Sequence, residues 1–305
     1  MKNYLYLLAA LFVTLVLFNS CKKELAGVEA KAALMKNSPY ITRVFDYLYA
    51  PGQHASLLSA NEKGANFIGE PWTNNKSFTS LGGWGGYIVA GFDHAVENTD
   101  GPDFCVYTQP SVSSEPGVVY VMDDTNGDGL PNDGEWSEIK GSEYNNPETI
   151  HNYKATYFKP GASGYVTWID NKGNSGSLIP HYGSGSWWWA GYGDKSSITL
   201  SGERLPDAYE NSSKDPNVEL WVTRPGLFQF GYAECYYNGD YNAKLKANFF
   251  DISSAVDASG LPIHLKKIKF IKVQSSVFQI AGWLNEISTE ISGAADIHLL
   301  DKSSY

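Results

Sequence analysis

Residues 118–138 read VVYVMDDTNGDGLPNDGEWSE, and two kinds of structure meet in them. Val118-Val119-Tyr120-Val121-Met122 is a β-branched and aromatic run, the composition of a strand. It feeds directly into a loop of oxygen-bearing side chains. Counted from Asp124 as the first position, oxygens recur at Asn126, Asp128, Asn132 and Glu135, with Gly129 at the sixth position and the Leu130 carbonyl at the seventh. That spacing matches the calcium-loop pattern. Ca²⁺ takes about six to eight hard oxygens, alternate residues of a tight loop aim them at one centre, and glycine permits the turn. The competing reading is a metal-free acidic turn. A strand precedes the loop and no helix flanks it, so it predicts a structural Ca²⁺ site within a β-domain.

Outward from this stretch the same alternation continues. Tyr87–Phe92, Asp103–Tyr107, Tyr153–Phe158, Gly164–Ile169, Val218–Thr223, Leu227–Tyr237 and Ile263–Val273 read as strands, with turn residues such as Asn171-Lys172-Gly173-Asn174 between them. Short strands at regular spacing predict an all-β fold, a jelly-roll-like β-sandwich with long loop insertions. Ile263–Val273 places lysines between apolar residues, the pattern of a half-exposed or edge strand. A break in its alternation at Phe270-Ile271 suggests a bulge. Composition agrees: aromatics are 14%, charged residues only 18%, and there are 30 glycines. The formal net charge of −10, with Lys266-Lys267-x-Lys269 as the one basic cluster and that reading as a solvated strand face, argues against nucleic acid as a partner.

The N-terminus bears on compartment. Lys2 precedes an apolar run over Tyr4–Phe18, followed by Phe18-Asn19-Ser20-Cys21. The run is short of the roughly 20 apolar residues a spanning helix needs and fits an export signal. It resembles the relaxed bacterial lipoprotein signal common in Bacteroidetes, from which Asn19 and Phe18 depart at the lipobox. The resemblance implies lipidation of Cys21 and attachment of a soluble domain to the outer membrane by lipid alone. The organisation expected is a signal peptide over 1–20, a tether over 21–37, and one domain over 38–305 with an insertion at about 174–217. Cys105 and Cys235 are candidates either for a disulfide or for two buried thiols.

Several ordered strings, among them SLGGWGGYIVAGFDHAV (80–96), SSEPGVVYV (113–121), FFDISSAVDASGLPI (249–263) and GWLNEISTEISGAADIHL (282–299), resemble a family of Bacteroidetes cell-surface lipoproteins associated with vitamin B12 capture loci. The resemblance implies a surface-exposed binding protein that passes a small molecule, cobalamin or another corrinoid, to a TonB-dependent outer-membrane transporter.

No catalytic signature is present: no G-x-S-x-G, H-E-x-x-H, P-loop or dinucleotide fingerprint. The six histidines are scattered, and Asp93-His94 sits on a strand where neighbours point to opposite faces. The residues therefore read as non-enzymatic, with a glycan hydrolase or an adhesin as lesser alternatives. The predicted binding surface is aromatic. Trp187-Trp188-Trp189, flanked by Tyr182 and Tyr192 in a glycine-rich stretch, cannot all face one core if extended. Flat rings of this kind cover a macrocycle or stack on sugars, which makes a glycan the principal alternative ligand. Trp84 and Trp283, each beside a glycine, are weaker binding candidates for which core packing is the favoured reading, and Glu286 and Glu290 read as a solvated turn with a second ion site as the other reading.

Overall fold

A computed structural model describes residues 37–52, 55, 64–72, 78–108, 114–161, 164–181, 185–215, 217–236, 239–301 and 303. Within them the chain is all-β, and its helical pieces are short 3-10 turns. Cys21 lies outside the described residues. No helix among them is long and apolar enough to cross a membrane.

Two antiparallel sheets form a sandwich. The first runs in the order Arg43–Leu48, Tyr87–Glu97, Lys267–Ser275, Gly117–Met122, Ser137–Ile139, Ala255–Val256, with Tyr232–Ala233 also paired to Gly117–Met122. The second runs Tyr241–Asn242, Ala247–Phe250, Phe104–Thr108, Glu290–Asp296, Thr79–Ser80. Successive strands cross between them: Tyr87–Glu97, Phe104–Thr108 and Gly117–Met122 alternate sheets, and Ala247–Phe250, Lys267–Ser275 and Glu290–Asp296 do so again. Ile88, Ala90, Val119, Val121, Ile271 and Val273 from the first sheet meet Phe104, Val106, Phe250, Ile291 and Ala294 from the second in one core. The spacing of two in 88/90, 104/106, 119/121 and 271/273 is the alternation legible in the sequence; Ile291 and Ala294 are three apart because the register shifts between Ile291 and Gly293.

The other face of the first sheet is covered too. Val118 and Tyr120 pack with Leu205, Tyr209, Phe228 and Tyr232, so all six residues of Gly117–Met122 are buried. Burial on both sides explains why this strand reads as a continuous apolar run. Most of the cover comes from residues between Ile139 and Tyr241, joined by Val277, Ala281 and Ile287. A four-stranded sheet of Ser197–Arg204, Ile150–Phe158, Thr167–Asp170 and Ser175–Ser177 draws on residues from both sides of Asn174. A ribbon pairs Tyr209–Asn211 with Trp221–Thr223. The four-stranded sheet is fastened by Gln274, whose Nε2 donates to the carbonyls of Gly85 (2.9 Å) and Ser201 (3.0 Å). Gly202 is required there, because a Cβ would lie 2.0 Å from the Gln274 amide oxygen.

Lys267–Ser275 is therefore central, not an edge strand; it pairs with Tyr87–Glu97 on one side and Gly117–Met122 on the other. Its lysines are accommodated individually. Lys269 Nζ donates to Asp124 Oδ2 at 2.8 Å, and the Lys272 ammonium lies over the rings of Tyr87 (5.2 Å) and Tyr120 (4.8 Å). The suggested irregularity is present beside Phe270. Pairing jumps from Ile268↔Val96 to Phe270↔Gly91, leaving a bulge in Tyr87–Glu97. Asp93 and His94 fall in that bulge, where strand alternation no longer separates them. His94 Nδ1 contacts Asp93 Oδ1 and its Nε2 contacts Asp296 Oδ2, each at 2.8 Å. Hydrogen bonding to Asp296, opposed by burial and supported by Asp93, raises the His94 pKa. The trio ties the two sheets together. Cys105 and Cys235 are free buried thiols in separate clusters.

Candidate functional site

Of the aromatic platform expected at 182–192, Trp188, Trp189 and Tyr192 turn inward. Gly185–Tyr192 is a 3-10 helix, so its rings are distributed about a turn instead of alternating along an extended chain. Trp188 and Trp189 are 1% and 3% exposed, and Tyr192 and Trp84 are also buried, all in one cluster with Tyr49, Tyr153 and Tyr157. Trp189 Nε1 donates to the Lys195 carbonyl at 3.0 Å. Gly191 lets Tyr49 close over the helix, since a Cβ would collide with the Tyr49 hydroxyl. Tyr182 and the Trp187 side chain lie outside the described residues. Trp283, expected in the core, is 70% exposed in the loop after Gly282, whose φ is 73°.

The groove lies instead on the outer face of the first sheet. Register sets one row of neighbours across five strands: Asp46↔Val89, Val89↔Lys272, Lys272↔Tyr120, Tyr120↔Glu138. Side chains so paired stand about 5 Å apart on one face. Two adjoining cavities, of about 640 and 250 Å³, open over this row and share Trp136, Ser201 and Lys272. Leu130, Pro131 and Trp136, from the acidic loop and its exit, form one wall. Glu203 and His151, from the four-stranded sheet, form the opposite wall of the smaller cavity, with Tyr144 and Asp257 alongside.

The polar groups here are unusually placed. Glu138 is 8% exposed, and among the described residues no group hydrogen-bonds its carboxyl. Burial first, then the nearby Glu203 charge, against a small opposing pull from Lys140, pushes its pKa up to about 9. Glu203 is also raised by burial, but His151 and the Asn152 N–H oppose the shift. His151 Nδ1 meets Glu203 Oε2 in a short contact, and its ring lies 4.6 Å from that of Tyr144. Buried Trp84 donates its indole N–H to the Glu203 carbonyl at 3.0 Å, so Trp84 supports the site from beneath. Lys272 has no hydrogen-bond or ion-pair partner among the described residues, and burial lowers its pKa to about 8 despite Asp46. A carboxylic acid, an ammonium, a carboxylate–imidazole pair and aromatic rings thus face one groove. None of these carried a signal in the sequence beyond an acid beside an aromatic in Trp136-Ser137-Glu138.

The acidic loop folds as an oxygen-lined turn. Carboxylate oxygens of Asp124, Asp128 and Asp133 lie within 4.8 Å of one another. Gly127 and Gly129 adopt φ of 75° and 73°, and the Gly129 N–H donates to Asp124 (3.1 Å to Oδ2). Asn126 and Asn132 are tied into the ring, Asn126 Nδ2 donating to Asn132 Oδ1 and Asn132 Nδ2 to Asp128 Oδ2. Leu130 donates its N–H to Asp128. Glu135 is exposed and outside this cluster; Asp133, two residues earlier, is in it. Asp133 Oδ2 is buried with no hydrogen-bond partner, and an all-oxygen donor set around such an atom fits a hard cation.

A second carboxylate group joins Glu115, Glu234 and Glu290, again within 4.8 Å. Glu234 and Glu286 are 1% and 8% exposed, so this segment is not the solvated turn its sequence suggests; Glu290 pairs with Ser80 inside the second sheet. Ser288 N–H donates to Glu115 and the Tyr236 hydroxyl to Glu234. Burial pushes Glu115 up to about 8 and raises Glu234 and Glu290 well above the usual carboxyl range.

The fold and groove define a β-sandwich with a ligand-sized cleft across one sheet face. No protein-family model matches the chain, and no curated protein matches it.

Proposed function

We propose that this protein binds a carbohydrate in the groove over Lys272, Tyr120 and Glu138, as a surface lipoprotein anchored to the outer membrane through Cys21. The observation that carries the proposal is the groove's mixture of donors, acceptors and rings. Glu138 and Lys272, both without hydrogen-bond or ion-pair partners among the described residues, offer a donor pair at the floor, Glu203 and Asp257 offer acceptors, and Trp136 and Tyr144 supply flat faces. Sugars present hydroxyls around their edge and C–H groups on their face, so they use both sets at once. A cavity of about 640 Å³ suits a short oligosaccharide. Ca²⁺ held by Asp124, Asp128 and Asp133, with Asn126, Asn132 and the Leu130 carbonyl as further oxygens, would fix the loop that carries Leu130, Pro131 and Trp136. Capture here would precede transfer to a TonB-dependent transporter.

Affinity electrophoresis through gels containing starch, xylan, galactomannan or laminarin tests the proposal. Wild-type protein is retarded by at least one polysaccharide, and Trp136→Ala is not. Migration unaffected by every polysaccharide, together with a coloured 1:1 complex after desalting from cyanocobalamin, would replace the glycan with a corrinoid.

A further inference from the structure

The groove contains more than binding requires. Glu138 is 8% exposed, no group among the described residues hydrogen-bonds its carboxyl, and it lines a cavity of about 250 Å³ that it shares with Glu203 and His151. For a binding protein an amide would serve as well, donating and accepting without the cost of a group that tends to ionise. A proton poised to leave is what only the acid supplies.

We propose, resting on the carbohydrate-binding function above, that the groove also hydrolyses a glycosidic bond of its ligand, with Glu138 as general acid and Glu203 as general base. The two carboxyls differ in the manner acid–base pairs require. Glu203 has groups that favour its ionised form, the His151 imidazole and the Asn152 N–H. Glu138 has no such group among the described residues, and burial, with the Glu203 charge second to it, holds its proton on. Trp136 and Tyr144 flank the same cavity as a sugar platform.

The step balances as follows. Glu138 donates its proton to the glycosidic oxygen as the bond from that oxygen to the anomeric carbon breaks, and the released chain leaves as an alcohol. A water molecule gives a proton to Glu203 while its oxygen bonds to the anomeric carbon. Exchange with solvent then returns the proton to Glu138 and removes it from Glu203. One water is consumed per bond and nothing is oxidised or reduced. Trp84, His151 and Asn152 are positioning residues, since they act through Glu203.

The test uses the full chain and the polysaccharide that retards it in the gel. Wild-type protein releases new reducing ends from that polysaccharide. At saturating polysaccharide, where any loss of affinity no longer limits the rate, Glu138→Gln and Glu203→Gln release reducing ends at least about 100-fold more slowly, the lower range for loss of a general acid or base. Retardation of the wild type with no reducing ends overturns hydrolysis and leaves binding intact. Reducing ends at the wild-type rate from Glu138→Gln overturn the assignment of the acid. No retardation and no reducing ends with any of the four polysaccharides overturns both.

Discussion

Replacing Glu138 by glutamine is predicted to stabilise the protein, and increasingly so as pH rises. In the folded chain Glu138 holds its proton up to about pH 9; in the unfolded chain it releases it near the ordinary carboxyl value of about 4.5. Its folded pKa is raised, so the protonated group's contribution is fully present below about pH 4.5 and is lost as pH climbs through 9. Each pH unit in that window costs up to about 1.4 kcal/mol per proton. From about pH 5 to about pH 8 the sum reaches about 4 kcal/mol, an upper bound because the folded chain relaxes around a buried charge. Glutamine is neutral throughout and nearly the same shape. Denaturant unfolding of wild type and Glu138→Gln at several values across this range should give curves that nearly coincide at the acid end and separate steadily above it, the variant being the more stable. Parallel stabilities across the range would mean that Glu138 is solvated or partnered, and the groove floor as drawn here would be wrong. A gain in stability on removing a side chain is characteristic of residues kept for function.

Other consequences concern separate parts of the molecule. Calcium should raise the melting temperature and EDTA lower it, and Asp133→Asn should abolish the difference; because Trp136 leaves the same loop, EDTA should also weaken polysaccharide retardation. Trp189→Ala should cost about 3–5 kcal/mol in denaturant unfolding, the range for emptying a buried aromatic site, while a ring that only touched ligand would cost little. Glu115, Glu234 and Glu290 all have folded pKa values raised by burial, so their contribution is also present at acid pH and lost as pH rises through about 8 for Glu115. Glu290→Gln should therefore soften the fall in melting temperature between about pH 6 and pH 9, and an unchanged fall would place these carboxyls in water.

The sandwich was legible in the sequence because its inner face obeys a period of two: Ile88, Ala90, Val119, Val121, Ile271 and Val273 can be picked out from alternation alone. Lys267–Ser275 misled because lysines usually mark an edge, whereas here Asp124 and the rings of Tyr87 and Tyr120 receive them. Such partners lie far away along the chain, Asp124 being 145 residues from Lys269, and have no local trace. The tryptophans at 187–189 misled for a different reason. Exposure was inferred from an extended backbone, and a 3-10 turn beneath Tyr49 lets Trp188 and Trp189 both pack inward. In the acidic loop the oxygen spacing marked a turn in which Asp124 and Asp128 come together, while the third carboxylate beside them is Asp133, which the pattern did not single out. Glu138, Glu203 and Lys272 meet only through strand register and the docking of the four-stranded sheet, neither of which a single strand's sequence specifies.

The central claim is that ligand lies against Trp136 and not against the tryptophans of 187–189. The chain has 9 tryptophans, each with one indole N–H resonance, and the Trp136 signal is identified by its loss in Trp136→Phe. In a titration with oligosaccharides cut from the retarding polysaccharide, that resonance should move first and furthest while those of Trp84, Trp188 and Trp189 stay in place. Movement confined to Trp188 and Trp189, with Trp136 unchanged, would contradict the account.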